Sequence, residues 1–168
     1  NDPIHRNYFL RIVGYPPEIY PGALVIDFGT SNSCAALVDE NRAIHLLDLN
    51  AEPDEDLLPS AVCYLRLRNQ RELEVGQRAL ERSLEPAAAR SVVVGAKRRV
   101  GFPEQPFAVV PLDEPAETHN LSAEQVACDL YANVIEQATR TLLAQGRNDA
   151  VVTRLVITHP SRFSLQQV

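Results

Sequence analysis

Residues 23–39 constrain this chain more than any other stretch. Ala23-Leu24-Val25-Ile26 and Cys34-Ala35-Ala36-Leu37-Val38 are short apolar runs, and the turn between them is rich in Gly, Ser, Thr and Asn. Two such runs around such a turn predict a β-hairpin. Asp27 closes the first run, and Gly29, Thr30, Ser31, Asn32 and Ser33 follow almost at once. The tip therefore offers one carboxylate beside several backbone N–H groups, the composition of a cradle for a metal-bound phosphate.

Two other readings fit the same residues. In the first, Asp27-Phe28-Gly29-Thr30 is turn punctuation: Gly29 is expected to supply a positive φ, and Asn32 and Ser33 make side-chain turns. In the second, Asp-x-Gly-Thr is half of a dyad of carboxylates that share a proton, as in aspartic proteases. Those sites resemble Asp-Thr-Gly or Asp-Ser-Gly, and Phe28 in the middle position speaks against it.

The 168 residues suffice for one domain with a real core, and 45% hydrophobic with 23% charged residues is ordinary for a globular chain. A net charge of −6, from 22 acidic and 16 basic residues, gives no field that would draw nucleic acid or an anionic membrane. Cys34, Cys63 and Cys128 are odd in number and far apart, with no histidines at zinc-site spacing, so they are expected to be buried free thiols in a reducing, cytoplasmic compartment. No apolar run reaches the roughly 18 residues of a membrane span, and the start lacks the order of a secretion signal. Methionine is absent even at position 1, so the chain is expected to be a piece of a longer polypeptide.

Residues 1–22 carry four prolines around Tyr8-Phe9-Leu10-Arg11-Ile12-Val13 and predict an extension with one edge strand before a Pro-rich linker. After the hairpin, Ala43-Ile44-His45-Leu46-Leu47 predicts a third strand of an antiparallel meander, with His45 on a strand face. The acidic run Glu52, Asp54, Glu55 and Asp56 lacks the ligand spacing and glycine of a calcium loop and is expected to be a solvated loop. Residues 57–65 predict a strand entered through Pro59. Glu74-Val75 ends a further strand, and Gln77 opens a helix of about two turns, to Leu84. Val92, Val93, Val94 and Ala96, followed by Lys97, Arg98 and Arg99, predict a short helix with a basic C-terminal end. Residues 102–118 hold four prolines and are expected to be mostly loop around the strand-like Phe107-Ala108-Val109-Val110. Ser122 and Gln125 form a capping box. From there Val126, Leu130, Val134, Ala138 and Leu142 recur at i, i+4 spacing as the core face of a long helix that stops at Gly146. Arg154-Leu155-Val156-Ile157-Thr158 completes the pattern as a strand, and Pro160 follows its C-terminal end, where open α/β sheets place their ligands.

Val25-Ile26-Asp27-Phe28-Gly29-Thr30-Ser31-Asn32-Ser33-Cys34-Ala35-Ala36 resembles the first phosphate-binding motif of the DnaK-like, seventy-kilodalton heat-shock chaperones of the actin and sugar-kinase superfamily. Four further segments resemble the same family in the same order: Leu58-Pro59-Ser60-Ala61-Val62, Val75-Gly76-Gln77-Arg78-Ala79, Ala96-Lys97-Arg98-Arg99-Val100-Gly101 and Val156-Ile157-Thr158-His159-Pro160-Ser161-Arg162-Phe163. The resemblance implies an α/β, ribonuclease-H-like (actin-like ATPase) lobe over residues 23–168: a mixed sheet with an antiparallel N-terminal meander and flanking helices, the first of two lobes that clamp a nucleotide. It implies ATP or ADP with Mg2+ as cofactors. By this likeness Asp27 holds the Mg2+ through water, while Gly29, Thr30, Ser31 and Asn32 contact the β- and γ-phosphates. Lys97 is implied as the catalytic lysine that stabilises the transferred phosphoryl group, and Pro160 as a switch between nucleotide state and a partner domain. Arg98 and Arg99 are left to packing and solubility.

The chain departs from the family at Arg162, where an aromatic residue is usual, at Val168, where an arginine is usual, and in a short stretch between Gly101 and Leu121. The family's second phosphate loop, catalytic glutamate and adenosine contacts all lie beyond Val168. Hydrolysis coupled to client handling, with co-chaperones and unfolded proteins as partners, is thus implied for a full-length protein. The chain alone is expected to be inactive and to self-associate. A non-catalytic scaffold derived from such a lobe, a sugar kinase and an actin relative are the alternative readings.

Overall fold

The computed structural model describes residues 18–49, 57–147 and 150–158. The expected edge strand at residues 8–13, the acidic run at 52–56 and the switch residue Pro160 lie outside these. The sheet that carries the tip begins with β2 (Ala23–Asp27) and β3 (Asn32–Val38), paired antiparallel, and continues into β4 (Ile44–Leu46). The predicted meander is therefore present. Alternation places Leu24 and Ile26 of β2 in the core and leaves Asp27 exposed at the strand's end. His45 lies on β4 beside Asp39, whose carboxylate also accepts the backbone N–H groups of Asn41 and Ala43 and so titrates below its ordinary value.

Residues 57–65 do not form the single strand expected. The segment divides at Ser60 into β5 (Leu58–Pro59), which pairs with β3, and β6 (Ala61–Arg66), which joins a second sheet between β7 (Glu72–Val75) and β8 (Val92–Val94). Pro59 has no N–H for a continuous ladder, and the Ser60 N–H leaves the strand to reach the Ser31 carbonyl at 2.7 Å. Helix α1 (Gln77–Arg82) follows β7 as expected, and Ala79 packs it onto Ala61 and Cys63.

The helix expected around residues 91–101 is absent. Its valines form β8, and only a short 3-10 turn, Ala96–Arg99, follows. Three successive β-branched residues favour the pleat over a helix, and Gly95 at φ +66° turns the chain sharply after them. Strand β9 (Phe107–Val109) pairs with β10 (His119–Leu121), a short polar strand with no visible signal in the sequence.

Helix α2 (Ala123–Ala144) has the predicted capping box: the Ser122 hydroxyl accepts the Gln125 N–H, and the Gln125 side chain accepts the Ser122 N–H. At its other end Gly146, at φ +78°, donates to Leu143 and Arg147 donates to Leu142, a Schellman stop. Val126, Leu130, Val134, Ala138 and Leu142 are all buried in the main core, where α2 packs on β2 and β6. Two-residue β1 (Glu18–Ile19) pairs in parallel with β11 (Ala150–Val151), and β12 (Leu155–Thr158) then pairs in parallel with β2. The tip-bearing sheet thus runs β12-β2-β3-β4, with β5 attached to β3. The fold is mixed α/β, and α2 links the antiparallel meander to a parallel strand. Among the described residues no helix is long and apolar enough to cross a membrane.

Candidate functional site

The tip between β2 and β3 is held from below, from within and from the side. From below, Phe28 is buried and its ring meets the Tyr131 ring of α2 edge-on, with centroids 5.4 Å apart. Within the tip, the Gly29 N–H donates to the Ser33 hydroxyl at 3.3 Å. From the side, the Ser60 hydroxyl donates to the Gly29 carbonyl at 2.9 Å and shares a 2.9 Å contact with the Ser33 hydroxyl. Gly29 does not take the positive φ expected of it; it is required for space instead, since a Cβ there would lie 1.7 Å from the Asn32 carbonyl oxygen. The Gly29 N–H is therefore spent internally. The N–H groups of Thr30 and Ser31 have no acceptor among the described residues and remain available.

Asp27 and Thr158 end the parallel pair β2 and β12 side by side, and the Thr158 hydroxyl donates to Asp27 Oδ1. The carboxylate is exposed at the C-terminal end of both strands. Among the described residues no group of three or more His, Cys, Asp or Glu side chains converges to hold a metal ion. A lone exposed carboxylate fits Mg2+, which retains most of its waters and takes its remaining ligands from a phosphate.

Lys97 reaches the tip at Phe28 from 69 positions further along the chain. Ala96 is buried, which seats the 3-10 turn against α2, and Glu124 near the start of α2 accepts the Gly101 N–H at 2.8 Å. That N–H holds the Glu124 carboxyl below its ordinary range. From this platform the Lys97 ammonium donates to the Phe28 carbonyl and lies 5.6 Å from the Phe28 ring centroid. The turn thus carries a cation to the residue next to Asp27.

On the neighbouring side of the tip lies a cleft of about 460 Å³, lined in part by Thr30, Ser31, Asn32, Ser60, Arg98 and Arg99. Arg99 is anchored there: it stacks over Phe107 at 4.2 Å and donates to the Pro106 carbonyl. Arg98 is exposed, and its guanidinium has no hydrogen-bond or ion-pair partner among the described residues. A larger groove of about 610 Å³ separates α1 and α2. Its lining alternates acids with bases, as in Glu74, Arg78, Glu136 and Arg140, so it has neither a single sign of charge nor a converging donor set.

Asp27, Gly29, Thr30, Ser31, Asn32 and Lys97 are therefore gathered around one tip, while Pro160 lies outside the described residues. The side-chain turn expected at Ser33 is present, since its hydroxyl accepts the Gly29 N–H. The sequence reading missed Ser60, which braces the turn, Thr158, which contacts Asp27, and the position of Arg98 on the cleft. Ser60 carried a signal, since it interrupts an otherwise apolar strand, but its partner across the sheets could not be read from spacing. No known protein family matches the chain, and no curated protein matches it either.

Proposed function

We propose that this chain is the first, ribonuclease-H-like lobe of an actin-like ATPase domain of the heat-shock chaperone type, and that ATP with Mg2+ binds at the β2–β3 tip. The observation that carries this reading is the meeting of Lys97 with the residue beside Asp27, at the C-terminal ends of β2 and β12. A turn that served only as punctuation has no need of a lysine delivered from a distant element. The antiparallel meander, extended by a parallel strand after a long helix, supports the same lobe. In this reading Asp27 orients the hydrated Mg2+, the Thr30 and Ser31 amides and the Asn32 side chain bind phosphate oxygens, and Lys97 stabilises charge on the transferred group. Bound Mg2+ would supply electrostatic stabilisation of the phosphate oxygens. Catalysis of this kind is positioning plus electrostatics, which such a site provides without a covalent step. A second lobe would close the site, and co-chaperones and unfolded clients are the partners of the complete protein.

The test is Lys97→Ala in a polypeptide that includes the second lobe. Single-turnover hydrolysis should fall by about a hundredfold or more with nucleotide affinity nearly unchanged, as expected when a contact is made mainly in the transition state. Absence of Mg2+-dependent hydrolysis in the unsubstituted polypeptide overturns the ATPase reading in favour of a non-catalytic scaffold.

A further inference from the structure

We infer that the cleft on the Arg98 side of the tip is itself a binding site for a phosphate-class polyanion, with Arg98 as its ligand-contacting cation. This rests on reading the tip as phosphate-binding but not on hydrolysis. It also changes the role of Arg98 from the solubility function expected from sequence.

Three observations converge. The first is charge: Arg98 and Arg99 line the cleft, and no carboxylate does. A concave surface of one sign focuses the field on an incoming anion. The second is donor availability. The Thr30 and Ser31 N–H groups and the Arg98 guanidinium all lack partners among the described residues, although neighbouring polar groups such as Ser33, Ser60 and the Gly29 amide are satisfied. Two adjacent amides and a guanidinium without partners, all on residues that line one cleft, are the donor types an oxyanion needs, since guanidinium can meet two phosphate oxygens at once. The third is rigidity. Arg99 is fixed by Phe107 and the Pro106 carbonyl, and the tip is fixed by Ser33 and Ser60, so the cleft's shape does not depend on a ligand. Among the described residues, Arg98 is the cleft cation left uncommitted.

The division of labour at the tip follows. Lys97 serves the Asp27 side, where it is docked on the Phe28 carbonyl, and Arg98 serves the cleft side. Arg98 should therefore control affinity for the anion, and Lys97 the rate of any transfer.

The probe is sodium tripolyphosphate, titrated without Mg2+ into this chain at constant ionic strength and followed by the amide resonances of Thr30, Ser31 and Gly95. We expect saturable shifts with affinity in the region of about 1 mM, weakened roughly fivefold to tenfold by Arg98→Ala and only partly by Arg98→Lys. Arg78→Ala, an equal loss of charge on α1, should leave the titration unchanged. A parallel ATP titration separates sources: equal affinities mean that the phosphates alone are recognised, and tighter ATP binding that still depends on Arg98 places a nucleotide's phosphates in the cleft. Shifts that do not saturate, or that Arg98→Ala and Arg78→Ala reduce alike, overturn the inference. The two failures are distinct: Arg98-dependent binding in a protein that never hydrolyses ATP removes only the ATPase reading, and Lys97-dependent hydrolysis with Arg98-independent anion binding removes only this one.

Discussion

At the scale of single residues, the tip depends on a position where a methyl group cannot be placed. The Cβ of Gly29→Ala would enter the Asn32 carbonyl, and backbone on both sides prevents a cheap adjustment. We expect Gly29→Ala to destabilise the fold by about 1–3 kcal/mol in urea titration and to disturb the Thr30 and Ser31 amides. A change below about 0.5 kcal/mol would show that the turn has another accessible shape. The cysteines give a second residue-scale test. They were expected to be uniformly buried, yet Cys128 is exposed on α2 between buried neighbours, whereas Cys63 is fully buried in β6 and burial pushes its thiol up to about 11. A single helical step is enough to move a side chain from core to solvent. At pH 8 Cys128 should be alkylated readily and Cys63 only after unfolding, because the thiolate is the nucleophile. The buried neutral thiol also links stability to pH. Its folded value lies above its unfolded one, so its contribution is whole below the ordinary value of 9.0 and is lost as pH rises through about 11. Equal alkylation rates for the two thiols in the native state would contradict this.

Among the elements, α2 holds most of the fold's legibility and its main surprise. Its cap, apolar stripe and glycine stop could be read from the sequence because each is a local, periodic signal. The failures have the same explanation in reverse. The residues of β8 carry no period that separates strand from helix over so short a span. The division at Ser60 depends on a partner in another sheet, and β10 is defined only by its pairing with β9. Asp129 also falls outside local logic. The helix face was expected to be wholly apolar, yet Asp129 is 3% exposed, and its carboxylate accepts the Tyr64 hydroxyl at 2.8 Å and the Arg71 guanidinium. The Tyr64 phenol is raised well above its ordinary range by burial and by that carboxylate. This group ties α2 to β6 and to the turn that follows it, a contact across 65 residues that no spacing rule could announce. Asp129→Ala would leave the buried tyrosine hydroxyl unpaired and should cost about 3–5 kcal/mol, while Asp129→Asn keeps an acceptor and should cost less. Equal losses for the two variants in chemical denaturation would mean that packing, not pairing, fixes this point.

Over the whole molecule, the sheet is well covered where α2 crosses it and, among the described residues, exposed at its β12 end. Leu155, Val156 and Ile157 are 46%, 49% and 40% exposed, three apolar side chains in succession on both faces of a strand that, among the described residues, pairs only with β2. The site itself was legible in part because its residues cluster in sequence around the hairpin, whereas its second cation and the exposed strand become visible only when distant segments are brought together. An edge strand with unpaired backbone groups and apolar side chains is a template for another chain. In the proposed complete domain a second lobe adjoins this one, and for residues 1–168 on their own a second copy offers the same chemistry. Sedimentation velocity should therefore show self-association that grows with concentration. Val156→Lys, which places a charge in the middle of the edge, should return the chain toward monomer while leaving the tripolyphosphate titration at the tip intact. Ile44→Lys, on the opposite edge of the same sheet, serves as the control, since an effect common to both would reflect general charge repulsion. A chain that stays monomeric at high concentration, or dimers insensitive to Val156→Lys, would remove β12 as an association surface of this chain.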